Sequence, residues 1–207
     1  MIDCYTWTTP NGHKVPIMLE ETRLEYTVHA VNLGNGEQKQ PAFLAINPNG
    51  KIPAIVDHDG PGGAAVSVFE SGAILIYLAE NTGKFLPRDG QARASALEWL
   101  MFQMSAIGPM FGQLYYFASQ MPEKHRPSIE HFQKEAARIV AVLDGRLAGA
   151  EYLAGDYSIA DVATYPWIAA ALGSGLRHAL GEAKHVERWA SAVGARPAVQ
   201  RGMQVPS

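Results

Sequence analysis

The stretch Trp7-Thr8-Thr9-Pro10-Asn11-Gly12-His13 joins a short apolar segment to a segment with helical periodicity. The apolar segment, Ile2–Thr6, predicts a strand, and the periodic segment predicts a helix over Lys14–Leu24. Pro, Asn and Gly favour a tight turn between the two. A strand that enters a helix through such a turn exposes backbone N–H groups at the positive end of the helix dipole. The stretch therefore predicts an α/β unit with an anion-stabilising turn, although turn geometry alone explains the same residue types.

The composition is that of an ordinary globular chain. It has 207 residues, 47% of them hydrophobic and 18% charged, with a net charge of -3. This length suits one large domain or two small ones. The negative charge and the lack of basic clusters argue against a nucleic-acid partner, and no apolar run is long enough for a membrane span. The single cysteine, Cys4, cannot form an internal disulfide and no secretory signal is visible, so we expect a cytoplasmic protein.

Strand and helix patterns alternate over residues 1–83. The first helix carries Val15, Met18, Leu19 and Thr22 on one stripe, at three- and four-residue steps. The elements predicted after it are a strand at Tyr26–Val31, a loop at Asn32–Gln40, a short helix at Pro41–Ile46, a strand that opens on Pro53, a returning strand at Ala65–Phe69 and a helix at Ala73–Glu80. This order favours a βαβ unit plus a hairpin in one mixed four-stranded sheet.

Strand patterns are absent beyond a polar linker at Asn81–Asp89, and an all-helical domain is predicted over residues 90–207. The predicted helices cover residues 91–120, 127–148, 159–172 and 184–194. Pro109 lies inside the first of them and should kink it. The tail from Arg196 is predicted to be irregular.

Three residues with reactive side chains are predicted to be structural. Ser158 and Asp161 have the spacing of a capping box, in which Ser158 caps the N–H of Asp161 and the carboxylate reaches back. Cys4 falls inside the first strand rather than at a helix start, so we expect a buried packing residue and not a reactive thiol.

No pattern in the sequence predicts a metal site. No histidine pair has the His-x-x-x-His spacing and no cysteine pair exists. The histidines are scattered along the chain, at His13, His29, His58, His125, His131, His178 and His185. The glycine pattern of a dinucleotide site does not follow the first strand either.

Several motifs together resemble the cytosolic glutathione transferases. The glutathione-binding domain of that family is matched by Asn47-Pro48-Asn49-Gly50-Lys51-Ile52-Pro53 and by Phe69-Glu70-Ser71-Gly72-Ala73-Ile74, and the second domain by Tyr157-Ser158-Ile159-Ala160-Asp161. Similarity to the bacterial nu class, which is related to the yeast nitrogen-regulator prion protein, lies in Thr9-Pro10-Asn11-Gly12-His13-Lys14, Ile55-Val56-Asp57-His58 and Gly108-Pro109-Met110. The resemblance implies a thioredoxin-like first domain, an all-helical second domain and a homodimer.

The resemblance also implies a glutathione site. Ser71 opens a helix, so its hydroxyl and backbone N–H suit the γ-glutamyl carboxylate, and Glu70 beside it can pair with the ammonium. Pro53 is implied to follow a cis peptide bond, which directs the Ile52 backbone toward the cysteinyl unit.

Three further side chains come from the same resemblance. Gln38 and Lys51 are implied to reach the glycyl end of glutathione. His131 stands where nu-class relatives are expected to carry an arginine, so its charge depends on pH. It reaches the ligand under this alignment and is a surface residue if the alignment shifts.

The sulfur position is the last element of the site. Related thioredoxin-like folds hold a cysteine at the turn after strand one, whereas this chain has Thr9 and Asn11. Their O–H and N–H₂ groups can donate to a thiolate and lower its pKa, and one pKa unit corresponds to about 1.4 kcal/mol. Thr8 is an alternative to Thr9 as the hydroxyl donor.

These residues predict a glutathione-dependent disulfide-bond oxidoreductase with glutathione, or glutathione disulfide, as its ligand and co-substrate and a small disulfide as second substrate. One alternative is a transferase that conjugates glutathione to small electrophiles near Phe102, Met110, Phe111 and Tyr115. The other is a non-catalytic glutathione-binding regulator, although the chain lacks a polar Asn/Gln-rich tail.

Overall fold

The computed structural model describes residues 1–174, 177 and 181–206, so His178 lies outside the described residues. The chain divides into two compact units. The first comprises Met1–Arg88 together with the segment that begins at Ala195, and the second comprises Asp89–Gly194. The segment from Ala195 thus belongs to the first unit, whereas the sequence predicts it as part of the helical domain.

The first unit is built on a mixed four-stranded sheet, as predicted. Its strands are β1 (Ile2–Thr6), β2 (Tyr26–Ala30), β3 (Ala54–Asp57) and β4 (Val66–Phe69), in the spatial order β2-β1-β3-β4. β1 runs parallel to β2 and antiparallel to β3, and β3 runs antiparallel to β4. The period of two along β1 sends Ile2, Cys4 and Thr6 to the buried face and leaves Asp3 and Tyr5 on the other.

Helices pack on both faces of this sheet, and Phe43 contacts Tyr5 on the face opposite Cys4. In the first unit they are α1 (Pro10–Thr22), α2 (Pro41–Leu44), α3 (Ser71–Thr82) and, near the end of the chain, α9 (Pro197–Gly202). The predicted stripe of α1 is buried, and α1 packs against α3. Cys4 lies beneath them with no exposed surface, which confirms its predicted packing role.

The prediction of an irregular tail after Arg196 is wrong. Pro197 starts α9, which packs against α1 so closely that a Cβ at Gly202 would lie 2.5 Å from the backbone nitrogen of Ile17. Arg196 and Arg201 pair with acidic residues of α1, at 2.6 Å in each case. A helix this short carries too few periodic positions to be recognised from sequence, because its stability comes from packing.

The second unit is helical throughout its described elements. They are α4 (Gly90–Phe102), α5 (Gly108–Tyr115), α6 (Arg126–Leu147), α7 (Ile159–Leu172) and α8 (Lys184–Gly194). Two π-helical turns, Gln103–Ile107 and Tyr116–Gln120, interrupt the helix predicted over 91–120. The first of them directly precedes Gly108-Pro109, and a π-helical turn is one way in which a helix accommodates such a break.

The predicted capping box at the start of α7 is confirmed. The Asp161 carboxylate accepts the Ser158 N–H at 3.0 Å, and the Ser158 hydroxyl accepts the Ala160 N–H at 3.3 Å. The carboxylate also accepts the Leu153 N–H at 3.0 Å and the Trp189 indole N–H at 2.8 Å. Asp161 therefore ties a loop and another helix to α7.

Asp3, on the other face of the sheet, links β1 to His29 of β2 and to His58, the residue after β3. Its carboxylate accepts Nε2–H of His58 at 2.7 Å and of His29 at 3.0 Å. These hydrogen bonds, that from His58 first, lower the pKa of Asp3 below its usual range.

We expect Asp3→Asn to lower the free energy of unfolding by about 1 kcal/mol at neutral pH, near the low end for bonds to a charged group because both histidines are partly exposed. A carboxyl whose pKa is lowered by folding stabilises the protein above its unfolded pKa and loses that contribution as the pH falls. The difference from wild type should therefore shrink below about pH 4. Urea unfolding across this pH range measures it, with the exposed Asp59→Asn as control; equal losses in both variants would contradict the assignment.

Candidate functional site

The sheet register brings one end of every strand together. Thr6 pairs with Ala30, Tyr5 pairs with Ala54, and Ala54 pairs with Phe69. The residues predicted for the site in the first unit follow or precede these strand ends: Thr9 and Asn11 after β1, Gln38 after β2, Lys51, Ile52 and Pro53 before β3, and Glu70 and Ser71 after β4. The chain order thus places all eight positions at one end of the sheet.

Thr9 is the N-cap of α1. Its hydroxyl accepts the Gly12 N–H at 3.0 Å, and its backbone has extended dihedral angles. Accepting this bond leaves the hydroxyl hydrogen available as a donor. Thr8, the alternative donor, is exposed, whereas Thr9 and Asn11 are half-buried.

Gly12 is required by the close passage of the chain at this turn. A Cβ there would lie 1.9 Å from the carbonyl oxygen of Trp7, so no other residue type fits without movement of the backbone. The Thr6 hydroxyl donates to the Gly12 carbonyl at 2.8 Å, which fixes the turn to the end of β1. The absence of a side chain at Gly12 therefore allows the start of α1 to lie close to the end of β1.

The loop before β3 is organised by Asn47. Its side-chain N–H₂ donates to the Lys51 carbonyl, and its side-chain oxygen accepts the Asn49 N–H at 2.9 Å. The predicted cis bond between Ile52 and Pro53 is confirmed. Lys51 itself is exposed.

Gln38 lies beside this loop, on a short 3-10 turn. A Cβ on Gly50 would lie 3.0 Å from the Gln38 carbonyl oxygen and 2.9 Å from Lys39 Nζ. The Gln38 side-chain oxygen is buried and has no hydrogen-bond partner among the described residues. A buried acceptor of this kind is available to a ligand donor.

Glu70 has backbone angles that side-chain-bearing residues rarely adopt, with φ at 69° and ψ at 115°. Such a conformation costs about 1–3 kcal/mol and is found where the surrounding structure enforces it, often at ligand sites. Asn49 Nδ2 donates to its carboxylate at 3.4 Å. Ser71, the next residue, is buried as the first residue of α3. No local pattern predicts the strained backbone, because it arises where β4 passes into α3.

Lys14 is the functional candidate that sequence reasoning missed. It has no exposed surface, and its Nζ donates to the Ser71 hydroxyl at 3.3 Å. Burial lowers the pKa of Lys14 to about 7, and the charge of Glu70 opposes part of this effect. The available signal was its spacing: Lys14 lies four residues before Met18, on the buried stripe of α1.

The remaining predicted residues lie in the second unit. His131 is exposed on α6, with its ring edge-on to Phe132 at 5.0 Å between centroids. Of the four residues considered for an electrophile pocket, Phe111 is a core residue with 3% of its surface exposed, whereas Tyr115 is 49% exposed. The part of the chain that the structure describes contains no group of three His, Cys, Asp or Glu residues arranged for a metal ion.

Two helix starts at one end of the sheet can bind two anions. α1 offers backbone N–H groups with the Thr9 hydroxyl and the Asn11 amide, and α3 offers its own with Ser71. Glu70 places a carboxylate next to the second position, where an ammonium group can pair with it. The arrangement suits a zwitterionic ligand with a separate anionic centre. Among the described helices, none is long and apolar enough to cross a membrane.

Two family models match the chain. The model of the glutathione S-transferase N-terminal domain matches residues 8–81, and that of the C-terminal domain matches residues 102–197.

Individual relatives agree with these models. The chain is 45% identical over 205 residues to the disulfide-bond oxidoreductase YfcG of Escherichia coli (strain K12), with 98% of this chain and 94% of that one covered. A glutathione transferase from Pseudomonas putida, crystallised with one glutathione disulfide per subunit, is 42% identical with a TM-score of 0.97, covering 100% and 92%. A glutathione transferase family member from Pseudomonas fluorescens Pf-5, with two glutathione bound, is 44% identical with a TM-score of 0.95, covering 99% and 93%.

Proposed function

Because the chain belongs to the glutathione S-transferase family, we propose that it is a glutathione-dependent disulfide-bond oxidoreductase with glutathione as its co-substrate. The single observation that carries the proposal is the absence of a protein thiol where the chemistry takes place. The turn after β1 presents Thr9 and Asn11, whereas Cys4, the one cysteine of the sequence, is fully buried within β1. Burial raises the pKa of Cys4 to about 12, so it stays protonated and unreactive.

The reaction is a pair of thiol–disulfide exchanges. The thiolate of a first glutathione attacks one sulfur of the substrate disulfide, forms a mixed disulfide and releases the other half as a thiolate that takes up a proton. A second glutathione thiolate attacks the glutathione sulfur of the mixed disulfide and releases the second thiol. The balance is two glutathione and one disulfide converted into one glutathione disulfide and two thiols.

The residues of the first unit have distinct parts in this reaction. The Thr9 O–H and the Asn11 N–H₂ donate to the glutathione sulfur and stabilise its thiolate at the start of α1. Ser71 and the N-terminus of α3 receive the γ-glutamyl carboxylate, and Glu70 pairs with the ammonium. The Ile52 backbone before Pro53 hydrogen-bonds to the cysteinyl unit.

The glycyl end of glutathione is assigned to Gln38 and Lys51. The buried Gln38 oxygen, which has no hydrogen-bond partner in the described part of the chain, supports this assignment, because an acceptor there can bind a peptide N–H of the ligand. His131 is proposed as an additional contact of the ligand.

The proposal is tested by kinetics with Cys4→Ala. We expect the wild-type protein to reduce hydroxyethyl disulfide with glutathione, and Cys4→Ala to retain at least about half of kcat/KM because no protein thiol takes part. Unfolding temperatures show whether the core substitution leaves the protein folded. Loss of activity in a folded Cys4→Ala protein would place the reaction on the protein thiol and overturn the proposal.

The same preparation separates the alternatives. Rates of conjugation with an aryl chloride far above the rate of disulfide reduction would favour a conjugating transferase. Tight glutathione binding without turnover of either substrate would favour a regulator. Both outcomes are measured with wild-type protein and need no variant.

Four finer features are part of the proposal. We assign the chain to the nu class on the motif Thr9–Lys14. We also propose a glutathione-binding domain at residues 1–83 and a helical domain that begins at residue 90, with the segment from Ala195 joining the first domain. A homodimer is proposed from the family resemblance, and sedimentation tests it. A cytoplasmic location is supported by Cys4, since reducing compartments keep thiols free.

A further inference from the structure

Lys14 is a buried amine to which the proposed reaction assigns no part. It lies in the second turn of α1 with no exposed surface, and its Nζ donates to the Ser71 hydroxyl at 3.3 Å. Glu70 is close enough for its charge to act on the Lys14 amine. The amine therefore sits beneath the start of α3.

A buried lysine is costly. Removing an ammonium from water is unfavourable unless other groups compensate, and a methionine would fill a similar volume without that cost. The Ser71 hydroxyl and the nearby Glu70 carboxylate each provide part of this compensation. A second anion at the start of α3 would add to it, because charges interact more strongly where water is excluded.

We propose that Lys14 is a positioning residue for the γ-glutamyl end of glutathione. Its ammonium holds the Ser71 hydroxyl at the start of α3 and adds a buried positive charge beneath the position that receives the carboxylate. The inference rests on the proposed function, since it assumes that the γ-glutamyl carboxylate binds at Ser71. The inference extends the proposed function by a positive charge, that of Lys14, which acts on the ligand through Ser71 and the start of α3.

The position of this charge makes glutathione affinity depend on pH. Burial lowers the pKa of Lys14 to about 7, so the free protein loses the charge as the pH rises past neutrality. A bound carboxylate favours the protonated amine and raises that pKa, so binding takes up a proton and weakens as the pH rises. If the pKa rises by about one unit, the affinity falls about five- to tenfold between about pH 6 and pH 8.5.

Other charged groups also contact α1, among them Lys84, whose Nζ donates to the Thr22 carbonyl at 3.3 Å. From α3, Glu70 faces the amine and opposes the loss of its charge. His13, the neighbour on α1, donates to the Val205 carbonyl, and burial lowers its pKa. The ion pairs between α1 and α9 lie at the far end of α1 and are Arg196–Glu21 and Arg201–Glu20.

The first test is a direct titration of Lys14 in the wild-type protein by NMR of its side-chain amine, with and without S-methylglutathione. This probe keeps the γ-glutamyl group and has no thiol to titrate. We expect the pKa of Lys14 to rise by about one unit in the complex. An unchanged pKa in a saturated complex would overturn the inference and leave the proposed function standing.

The second test measures S-methylglutathione binding by calorimetry between about pH 6 and pH 8.5. We expect Lys14→Met to bind about tenfold more weakly than wild type at the acidic end, to match it at the alkaline end, and to lose the pH dependence. The exposed Lys184→Met and the neighbouring His13→Gln should retain it. Wild-type affinity and pH dependence in Lys14→Met would refute the role of Lys14, whereas no binding by wild type at any pH would refute the proposed function and the inference together.

Discussion

Replacing both Thr9 and Asn11 with alanine is expected to lower kcat/KM for glutathione-dependent reduction of hydroxyethyl disulfide by about two to four orders of magnitude. A hydrogen bond to a charged group contributes about 1.5–3 kcal/mol, and the bound thiolate loses two of them. Each 1.4 kcal/mol is about a factor of ten in rate. Steady-state kinetics measure the loss, and the ultraviolet absorbance of the thiolate across pH should show that the pKa of bound glutathione rises.

Thr9 also has a structural role, and control variants must separate this role from the proposed donation to the thiolate. Its hydroxyl caps α1 through the Gly12 N–H, and loss of such a cap costs about 0.5–2 kcal/mol of stability. Thr9→Asp preserves the cap, because a carboxylate accepts the same bond, but cannot donate to a thiolate and repels it. We expect Thr9→Asp to be folded and nearly inactive, and the exposed Thr8→Ala to remain active. Full activity in the double alanine variant would remove Thr9 and Asn11 from the mechanism, and loss in Thr8→Ala alone would transfer the donor role to Thr8.

The second large effect is expected on stability, from Asp161→Ala. The carboxylate accepts hydrogen bonds from Leu153, Ser158 and Trp189 and has no exposed surface. Its removal leaves several buried donors without an acceptor, at about 1–3 kcal/mol each. We expect the free energy of unfolding to fall by about 3–5 kcal/mol, a large share of the stability of a typical domain.

Chemical denaturation followed by circular dichroism measures this loss. Burial raises the pKa of Asp161 while the donated hydrogen bonds lower it, so the comparison is best made at neutral pH and repeated in mild acid. Asp156→Ala, an exposed aspartate just before α7, is the matched control and should change stability by less than about 0.5 kcal/mol. Equal denaturant midpoints for the two variants would show that the hydrogen bonds accepted by Asp161 do not stabilise the protein.

Much of the architecture could be predicted from local patterns. β2 was predicted at Tyr26–Val31 and ends one residue earlier, and α7 was predicted at its observed bounds. These elements have the alternation or helical spacing that one buried face imposes, and Ser158 marks the start of α7 by its capping chemistry. α1 begins at Pro10, four residues before its predicted start, because Thr9 acts as the cap and Pro10 suits the first turn.

The site residues that belong to sequence motifs could be predicted, whereas features that depend on packing between distant residues could not. The predicted positions from Thr9 to Ser71 lie at strand ends that the register brings together. The burial of Lys14 could not be predicted in this way, because a lysine on a helix is usually exposed. The short helix α9 was missed because its stability depends on contacts with α1.

The amino-acid sequence alone defines the order of the four strands and of most helices, the tight turn at Asn11-Gly12, the capping box and the absence of a second cysteine. These follow from local periodicity, turn chemistry and counting, which need no knowledge of distant contacts. Three features depend on the three-dimensional fold: Lys14 is buried against Ser71, Glu70 adopts a positive φ, and α9 packs on α1. Burial and pKa depend on residues that are far apart in the chain, and only the folded arrangement brings them into contact.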